Sequence, residues 1–464
     1  MDDLSLATTP IPGLLVLHLP LHEDARGWFK ENWQREKMAA LGLPDFTPVQ
    51  QNVSFNNRRG VTRGIHAEPW DKLVSVATGR VFGAWVDLRE GPTFGRSHHL
   101  ELDASQAVLV PRGVGNAYQT LDEGVAYSYL VTDHWRPDAS YVALALDDPS
   151  VAIPWPLPLD QAEISDKDRD NPTLDSVSRM PALRTLILGA GGQLARALAE
   201  ALPHATSVGQ GELDVSDAGQ VATWPWQDYD VVLNATGYTA VDLAETPEGR
   251  KTAWSVNAHG PARLAQQARR HRFLLVHYST DYVFDGVGQH HEESEPVSPL
   301  GVYGQSKAAG DLSVAITPRH YVIRTSWVVG DGPNFVRTMA RLAAGGVSPS
   351  VVDDQVGRLT FADELARATV HLVDSRAPYG TYNCTNSGPA MSWSDIARVV
   401  FAHCGRSADD VRPVSTEEYG AGKLLAPRPQ RSVLDLSALE ATGYRPGDAT
   451  TALERYLSDL QDAG

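Results

Sequence analysis

Residues 185–202 have the sequence TLILGAGGQLARALAEAL. The apolar run from Thr185 to Leu188 predicts a buried strand, and the alanine-rich run from Gln193 to Leu202 predicts a helix. The residues between them are glycine or alanine, so the backbone can approach a pyrophosphate while the helix N-terminus offers it unpaired N–H groups. The stretch predicts the phosphate-binding turn of a dinucleotide fold, although an ordinary tight turn would have the same composition.

The alternation of strands and helices continues towards the C-terminus. Apolar runs predict strands at Asp230–Leu233, Phe273–Tyr278 and Tyr321–Ile323, and helical patterns cover Pro261–Arg270 and Asn334–Ala343. Such alternation predicts an α/β Rossmann domain, a parallel sheet with helices on both faces, in which ligands bind at the carboxyl ends of the strands.

Loops after these strands supply candidate contacts to a nicotinamide cofactor. The small residues after Asn234 suit a cofactor crevice, and the segment around Asp214 suits its adenine side. Asn257 either links the backbone to the active site or caps a helix. The predicted cofactor-binding set is Gly189, Gly192, Gln193, Leu194, Asp214, Val215, Ala235, Thr236, Gly237, Tyr303 and Lys307.

A candidate redox site follows the strand at Phe273–Tyr278. Tyr303 precedes Lys307 by four residues, which places a phenol and an ammonium on one face of a helix. The ammonium is expected to lower the pKa of the phenol. A hydroxyl from Thr280 can hold a substrate oxygen beside that phenol, so these groups can protonate a ketone oxygen while a nicotinamide delivers hydride to the carbon.

Residues 11 to about 150 follow a different pattern, in which short apolar-alternating runs are broken by Gly, Pro and Asn. This spacing predicts an all-β sandwich or barrel, with a short helix at Arg35–Leu41. Residues 149–182 are rich in Pro and Asp, and their last part predicts a linker. We therefore expect domains at 1–170 and 183–464, joined by a linker at 171–182. The predicted strands of the first domain are Leu14–Leu19, Lys72–Val76, Val81–Leu88, Ala107–Val110 and Val125–Thr132.

The net charge of −17 disfavours nucleic acid and anionic membrane surfaces as partners. Two cysteines among 464 residues exclude a disulfide framework and fit a reducing compartment. The acidic N-terminus has no long apolar run, so we expect a cytoplasmic protein without a membrane span. In this acidic chain, the cations Arg26, Arg63 and Lys72 lie in strand-like segments. They predict an anionic ligand, or else exposed edge strands.

Residues from about 183 to 464 resemble the dTDP-4-dehydrorhamnose reductases, which are extended short-chain dehydrogenases with a small C-terminal substrate subdomain. The matching stretches are Gly192-Gln193-Leu194, NATGYTAVDLAE from Asn234, STDYVFDG from Ser279, YGQSKAAG from Tyr303, Arg324-Thr325-Ser326-Trp327, Asn334-Phe335, Asp354-Gln355-x-Gly357 and Arg428-Pro429. The resemblance implies that Thr280, Tyr303 and Lys307 are catalytic and that NADPH or NADH is the cofactor. It also implies substrate contacts from Asp281, Trp327, Asn334 and Arg428, although Trp327 would otherwise be read as a buried aromatic.

Some of these reductases carry a Glu on the first helix that helps a metal-linked dimer. This chain has Ala197 there, so no metal is expected.

Residues 10–175 resemble the dTDP-4-dehydrorhamnose 3,5-epimerases, which are metal-free, dimeric cupin-type (jelly-roll) β-barrels. The matching stretches are Asp24-Ala25-Arg26-Gly27-x-Phe29, Gln51-Asn52-x-Ser54, Arg63 to His66, Lys72-Leu73-Val74, Val86 to Arg89, Pro92 to Gly95, Ile153 to Pro156 and Ile164 to Asp168. By that resemblance His66 is the base, Asp168 holds its imidazole, Lys72 neutralises an enolate and Tyr129 is the acid, with Tyr127 as the alternative acid. The implied substrate contacts are Arg26, Glu31, Gln51, Asn52, Arg63, Asn116 and Lys167.

Three residues of this first domain depart from the epimerase pattern. Asn116 replaces a His, Gly83 replaces an acidic residue, and Trp135 replaces a Tyr near the sugar.

Together the two resemblances imply a bifunctional, homodimeric enzyme that makes dTDP-L-rhamnose from dTDP-4-dehydro-6-deoxy-D-glucose. Three alternatives stay open. In the first alternative, the first domain is a noncatalytic binding module. In the second, the chain makes another dTDP-deoxysugar with one inverted centre. In the third, the whole chain is a cofactor-sensing regulator.

Overall fold

The computed structural model describes residues 3–135, 137 and 139–462, with only the backbone for 461 and 462. The chain divides into two compact units, Met1–Ala182 and Leu183–Gly464. Residues 171–180, predicted as linker, pack in this structure onto the first unit. The Met180 side chain is fully buried, and its backbone N–H donates to the Leu88 carbonyl at 2.7 Å. An apolar side chain late in a Pro- and Asp-rich stretch therefore joins a core.

The first unit consists of two antiparallel sheets. One has the strand order β1-β2-β10-β7-β12-β5 and the other the order β13-β6-β11-β8-β9, with a separate β3–β4 hairpin. The elements are β1 (Ser5–Thr8), β2 (Leu15–His18), β3 (His22–Asp24), β4 (Gly27–Phe29), α1 (Arg35–Ala40), β5 (Gln50–Asn56), β6 (Thr62–Ala67), β7 (Lys72–Thr78), β8 (Val81–Asp87), β9 (Ser97–Leu102), β10 (Gln106–Val110), β11 (Val114–Thr120), β12 (Val125–Val131), β13 (Val142–Ala143) and α2 (Asp166–Arg169).

The core of this unit contains alternate residues of strands from both sheets. Val74 and Tyr127 of one sheet cluster with Trp85 and Tyr118 of the other, and all four are buried. Period-2 alternation of apolar residues produces this arrangement, because successive side chains of a strand point to opposite faces. The all-β prediction is confirmed, and the five predicted strands differ from the observed ones by at most two residues at either end.

The second unit is built on a six-stranded parallel sheet of order β15-β14-β16-β17-β18-β23. Its strands are β14 (Thr185–Leu188), β15 (Thr206–Val208), β16 (Val231–Asn234), β17 (Leu274–Thr280), β18 (His320–Thr325), β19 (Val328–Val329), β20 (Ser350–Val352), β21 (Val356–Gly357), β22 (Thr360–Phe361), β23 (Gly380–Asn383), β24 (Met391–Ser392) and β25 (Arg412–Val414). Its helices are α3 (Gln193–Ala201), α4 (Ala218–Thr223), α5 (Pro247–Trp254), α6 (Gly260–His271), α7 (Val302–Ala315), α8 (Phe335–Ala344), α9 (Ala362–Asp374), α10 (Trp393–His403), α11 (Thr416–Gly420), α12 (Ser437–Ala441) and α13 (Ala449–Asp462).

Helices cover both faces of this sheet, which confirms the predicted α/β architecture. Leu198 of α3 and Leu365 of α9 pack on one face, and Leu264 of α6 packs on the other. A further core joins α8, α10 and α13 with the short strands near the C-terminus. Among the described residues, no helix has the length and apolarity that a membrane crossing requires.

Candidate active sites

The first unit contains a histidine–carboxylate pair. His66 on β6 places Nε2 2.8 Å from Oδ1 of Asp168 on α2, and Oδ2 accepts the Gly64 N–H at 3.3 Å. Burial acts to raise the pKa of Asp168, but the hydrogen bonds from His66 and Gly64 outweigh it, and the pKa lies below its usual value. An ionised Asp168 that accepts the Nε2–H leaves the lone pair on Nδ1, which suits His66 to take up a proton.

A lysine and a tyrosine lie together in the facing sheet. The Lys72 side chain is buried and forms an ion pair with Glu68, and its Nζ lies 5.8 Å from the centre of the Tyr129 ring. Burial and the charge of Glu68 raise the pKa of Tyr129, so its phenol stays protonated at neutral pH. A protonated phenol beside a cation can donate a proton to a carbanion. The sequence analysis missed Glu68, although a carboxylate four residues before a lysine was a usable signal.

Tyr127 and Tyr129, the two predicted candidates for the acid, differ in burial. Tyr127 is fully buried, donates its hydroxyl to Asn116 Oδ1 at 3.0 Å, and stacks on Tyr118 with 4.1 Å between ring centres. Tyr129 is only partly buried. Of the two tyrosines, Tyr129 is therefore the one that keeps part of its surface exposed.

Two of the departures from the epimerase pattern belong to one local arrangement. A Cβ at Gly83 would lie 2.5 Å from the Trp85 ring, so the indole occupies the space of a side chain at residue 83. Trp85 Nε1 donates to Asn116 Oδ1 at 2.9 Å. Asn116 is also the cross-strand partner of His66. Trp85, which the sequence analysis did not single out, thus links the two changed residues next to His66.

The remaining predicted substrate residues of this unit lie on β5, β6 and α2 and around the β3–β4 hairpin. Asn52 is the cross-strand partner of Tyr129, and Arg63 lies close enough to lower the pKa of that tyrosine, against the larger effect of burial. Gln51 is exposed and donates to Ser128 Oγ at 3.3 Å, and Lys167 is exposed on α2. Arg26 and Glu31 form ion pairs with Asp24 and Lys37, at and after the β3–β4 hairpin.

The glycine turn of the second unit has the geometry that a dinucleotide requires. Gly189 has φ +93°, and a Cβ there would lie 3.0 Å from the Ala235 carbonyl oxygen. Gly192 caps α3 without any side-chain hydrogen bond, so the first-turn N–H groups of Gln193 and Leu194 are available to a phosphate. These residues fit a nicotinamide dinucleotide.

The other predicted cofactor residues lie around the same strand ends. Thr236 donates to Asn234 Oδ1 at 2.6 Å, and Gly237 lies next to Asn257.

Asn257 is buried, bonds both backbone groups of Tyr238, and donates to Ser306 Oγ at 3.1 Å. Asn257 therefore links the backbone of Tyr238 to Ser306 on α7, and it does not cap a helix. Gln193 Oε1 accepts the Gly330 N–H at 2.8 Å, Asp214 accepts hydrogen bonds from Ser216, and Val215 is buried against Gly260.

Thr280 and Tyr303 come together at the carboxyl end of β17, where Thr280 acts to lower the pKa of the Tyr303 phenol. Thr280 Oγ1 also donates to Asp281 Oδ1 at 2.8 Å, and burial raises the pKa of Asp281 to about 6. The predicted lowering of the Tyr303 pKa is wrong for this structure. Burial raises that pKa, with a further contribution from Asp281. The spacing of a phenol and an ammonium does not reveal burial, and burial decides the direction.

Lys307 lies one helical turn after Tyr303 and is buried. Its Nζ donates to the Tyr278 carbonyl at 2.5 Å. Burial lowers its pKa to about 8, although Asp311 acts in the opposite direction. Asp311 is in turn bonded to Arg324 at 3.2 Å, so the ammonium is held against a buried polar cluster.

Trp327 has a strained backbone. Its φ of +47° is left-handed, which costs a bulky residue about 1–3 kcal/mol and is found most often at functional sites. Its ring stacks on Trp393 with 3.7 Å between centres. The sequence analysis missed Trp393, because only the fold brings α10 to the end of β18.

Arg428 and Asn334, the other predicted substrate residues, already have protein partners. Arg428 bonds Asp242 at 2.9 Å, and it lies close enough to Tyr282 for that phenol to help raise the pKa of the guanidinium. Asn334 caps α8 by accepting the Arg337 N–H at 2.9 Å, and it donates to the Gly330 carbonyl at 2.9 Å. Asn334 thus holds a loop that also contacts Gln193.

Comparison with known families divides the chain at the same place. The family described as RmlD substrate binding domain matches residues 183–462, and the family described as dTDP-4-dehydrorhamnose 3,5-epimerase matches residues 8–176. The first part is 51% identical over 174 residues to a protein named RmlC homolog from Streptococcus pyogenes, which covers 36% of this chain and 87% of the relative.

The second part is 36% identical over 291 residues to a dTDP-4-dehydrorhamnose reductase from Aggregatibacter actinomycetemcomitans, which covers 58% of this chain and 97% of the relative. A crystal structure of the Bacillus anthracis dTDP-4-dehydrorhamnose reductase in complex with NADP is 31% identical. It covers 60% of this chain and 99% of its own, with a TM-score of 0.55.

Proposed function

Since the chain belongs over residues 183–462 to the RmlD substrate binding domain family and over residues 8–176 to the dTDP-4-dehydrorhamnose 3,5-epimerase family, we propose that it is a bifunctional enzyme. It epimerises dTDP-4-dehydro-6-deoxy-D-glucose at C3 and C5 and then reduces the C4 ketone to give dTDP-L-rhamnose. The observation that carries this proposal is that one chain holds both the His66–Asp168 pair and the Thr280–Tyr303 pair with Lys307.

Epimerisation uses the acidity of the carbons that flank the ketone. His66 Nδ1 removes a proton from C3 or C5, and the electron pair moves onto the ketone oxygen to form an enolate. Asp168 stabilises the imidazolium that results, and Lys72 neutralises the enolate oxygen. Tyr129 returns a proton to the carbon on the opposite face, so the centre is inverted.

Reduction uses the second pocket. A bound NADPH or NADH supplies hydride to the ketone carbon. Thr280 holds the ketone oxygen, and Tyr303 donates its phenolic proton to that oxygen as negative charge develops there. The raised pKa of Tyr303 suits this direction, because the phenol stays loaded with a proton at neutral pH. Lys307 places a positive charge behind the phenol and stabilises the phenolate that remains.

The other predicted residues are proposed to bind the nucleotide sugar. Cations suit the diphosphate, because guanidinium groups bind phosphate oxygens in two-pronged hydrogen bonds. The epimerase set is Arg26, Glu31, Gln51, Asn52, Arg63, Asn116 and Lys167, and the reductase set is Asp281, Trp327, Asn334 and Arg428.

The order of the two reactions follows from their chemistry. Epimerisation exchanges stereoisomers, so its free-energy change is expected to be close to zero. Reduction of the ketone is the step that drives the two reactions towards product. Because the two domains are fused, each chain supplies one copy of each active site. The free thiols of Cys384 and Cys404 fit a reducing compartment, so we place the enzyme in the cytoplasm.

Incubation of the purified chain with the 4-keto sugar nucleotide and NADPH or NADH tests the proposal. We expect one cofactor oxidised for each sugar consumed. Absence of substrate-dependent oxidation rejects the reductase, and a product other than dTDP-L-rhamnose rejects the sequence of two reactions.

A second candidate, inversion of one centre only, is favoured by the changed residues next to the base. Trp85 fills the space above Gly83 and fixes Asn116 beside His66, so sugar orientation in this pocket depends on residues that differ from the epimerase pattern. Deuterium incorporation at only one of the two carbons would support this candidate.

The rate of ketone reduction is expected to fall as the pH rises through about 8. Burial lowers the pKa of Lys307 to about 8, so its ammonium is present below that pH and is lost above it. The phenol of Tyr303, with its raised pKa, stays protonated across the same range. The measurement is kcat/KM for reduction of the epimerised ketone as a function of pH, with circular dichroism as the control for folding. A rate that stays constant above pH 8 contradicts the role of Lys307.

The first unit is proposed to form a homodimer. β5 is an edge strand whose outward face exposes Val53 (64%) and Phe55 (59%), and the β3–β4 hairpin exposes Phe29 (64%). Apolar side chains on an open edge are a typical pairing surface. Sedimentation is expected to give twice the 50.3 kDa of one chain. Phe55→Asp is expected to give the monomer, whereas Val287→Asp, at an exposed position in the second unit, leaves the dimer intact. A monomeric wild-type chain contradicts the dimer.

A further inference from the structure

We propose that the reductase site binds NADH in preference to NADPH, because the wall of its adenosine-ribose pocket repels a 2′-phosphate. This inference rests on the proposed reductase function and specifies its cofactor. The residue that sets the preference is Glu212, which lies after the second strand of the sheet, β15.

The structure places the end of β15 beside the glycine turn. The N–H groups of Gly189 and Ala190 both donate to the Val208 carbonyl, at 3.0 and 2.9 Å. In dinucleotide-binding folds, the side chain about 20 residues after the glycine turn meets the ribose hydroxyls. Glu212 follows Gly192 by 20 residues, so its carboxylate lies in the segment that borders the ribose.

Glu212 also accepts the backbone N–H that would otherwise be available to donate to a 2′-phosphate. Its Oε2 accepts the Gly209 N–H at 3.0 Å, the first backbone N–H beyond β15. A phosphate at this place would lose that donor and would meet a negative charge. The ribose hydroxyls, in contrast, can donate to a carboxylate.

A second carboxylate adds to this negative field. Asp214 accepts from Gln210 Nε2 at 3.0 Å and from Ser216, and these hydrogen bonds keep its pKa below the usual value. The segment from Gly209 to Asp214 thus holds two carboxylates and no lysine or arginine.

Two arginines that adjoin this segment, Arg196 in the sequence and Arg263 in space, are already engaged. The sequence has no lysine or arginine from residue 197 to residue 249. Arg196, just before this interval, donates to the Gly191 and Asp331 carbonyls and pairs with the Asp331 carboxylate at 3.4 Å. Arg263 donates to the Val215 carbonyl at 3.4 Å and lies close enough to Asp214 to lower its pKa, so its charge is offset. Neither of these two arginines is therefore free to hold a 2′-phosphate beside Glu212.

Direct binding to the full chain tests the inference without relying on catalysis. We expect titration calorimetry to give a Kd for NADH at least tenfold below that for NADPH. Gln210→Arg is expected to tighten NADPH binding at least tenfold with little change for NADH. Glu212→Gln is expected to narrow the gap between the cofactors, and Glu454→Gln on exposed α13 is the matched control that should not.

Equal or tighter binding of NADPH by the wild-type chain would overturn the preference. A preference for NADH that survives unchanged in Glu212→Gln would overturn the role of Glu212. Binding of neither cofactor would overturn both this inference and the proposed reductase, whereas a preference for NADPH would leave the reductase standing.

Discussion

Replacing His66 with alanine is expected to lower the exchange of the C3 and C5 protons of the 4-keto sugar with solvent by about 10²–10⁴-fold. The substitution removes the lone pair at Nδ1 that takes the proton, and Asp168 is left without the imidazole that it holds at 2.8 Å. The measurement is deuterium incorporation in D₂O, followed by NMR and carried out without nicotinamide cofactor. Reduction of an already epimerised ketone by the same variant should stay near the wild-type rate.

Two further variants sharpen this result. Asp168→Asn keeps a hydrogen-bonding side chain but removes the charge that stabilises the imidazolium, so exchange should be slow although His66 is present. His18→Ala, at an exposed position on β2, should exchange at the wild-type rate. Exchange in His66→Ala close to that of the wild type would remove His66 as the base. A wild-type chain that exchanges neither proton would show that the first unit is a noncatalytic binding module.

Replacing Tyr303 with phenylalanine is expected to lower the rate of ketone reduction by about 10²–10⁴-fold while epimerisation continues. The ring is retained, including its edge contact with Tyr282 at 5.6 Å between centres, and only the hydroxyl beside Thr280 is lost. The measurement is the initial rate of NADH or NADPH oxidation, with solvent exchange at C3 and C5 as the internal readout of the other site.

Tyr419→Phe, at an exposed position on α11, is the matched control and should reduce the ketone at the wild-type rate. Reduction by Tyr303→Phe at a rate within a few-fold of the wild type would contradict the assignment of the proton donor. A wild-type chain that binds the cofactor but never oxidises it would indicate the regulatory alternative instead.

Local sequence patterns were sufficient for the elements that position the second site, whereas β6 and α2, which carry His66 and Asp168, were not predicted. The buried strand, glycine turn and helix from Thr185 to Leu202 were read directly, because apolar runs and small turn residues report on the backbone near them. The predicted strand Phe273–Tyr278 is observed as Leu274–Thr280. It begins one residue later and ends two residues later, so it carries Thr280 at its end. Motif spacing likewise placed Tyr303 and Lys307 one turn apart on α7.

Long-range contacts were beyond such patterns. His66 and Asp168 are 102 residues apart, and no periodicity joins them; only the resemblance to the epimerases paired them. The contact of Trp85 with Asn116 was not predicted, because it requires the pairing of β8 with β11. The direction of the shift in the Tyr303 pKa was predicted wrongly for a related reason, because burial is a property of the whole fold.

One measurement tests most directly the claim that two pockets act in turn on one carbonyl compound. The wild-type chain is supplied with dTDP-4-dehydro-6-deoxy-D-glucose and NADH in D₂O, and the product is examined by NMR. The account predicts dTDP-L-rhamnose with deuterium at both C3 and C5 and protium delivered to C4 from the cofactor. A reduced sugar that keeps protium and the starting configuration at C3 and C5 would contradict it.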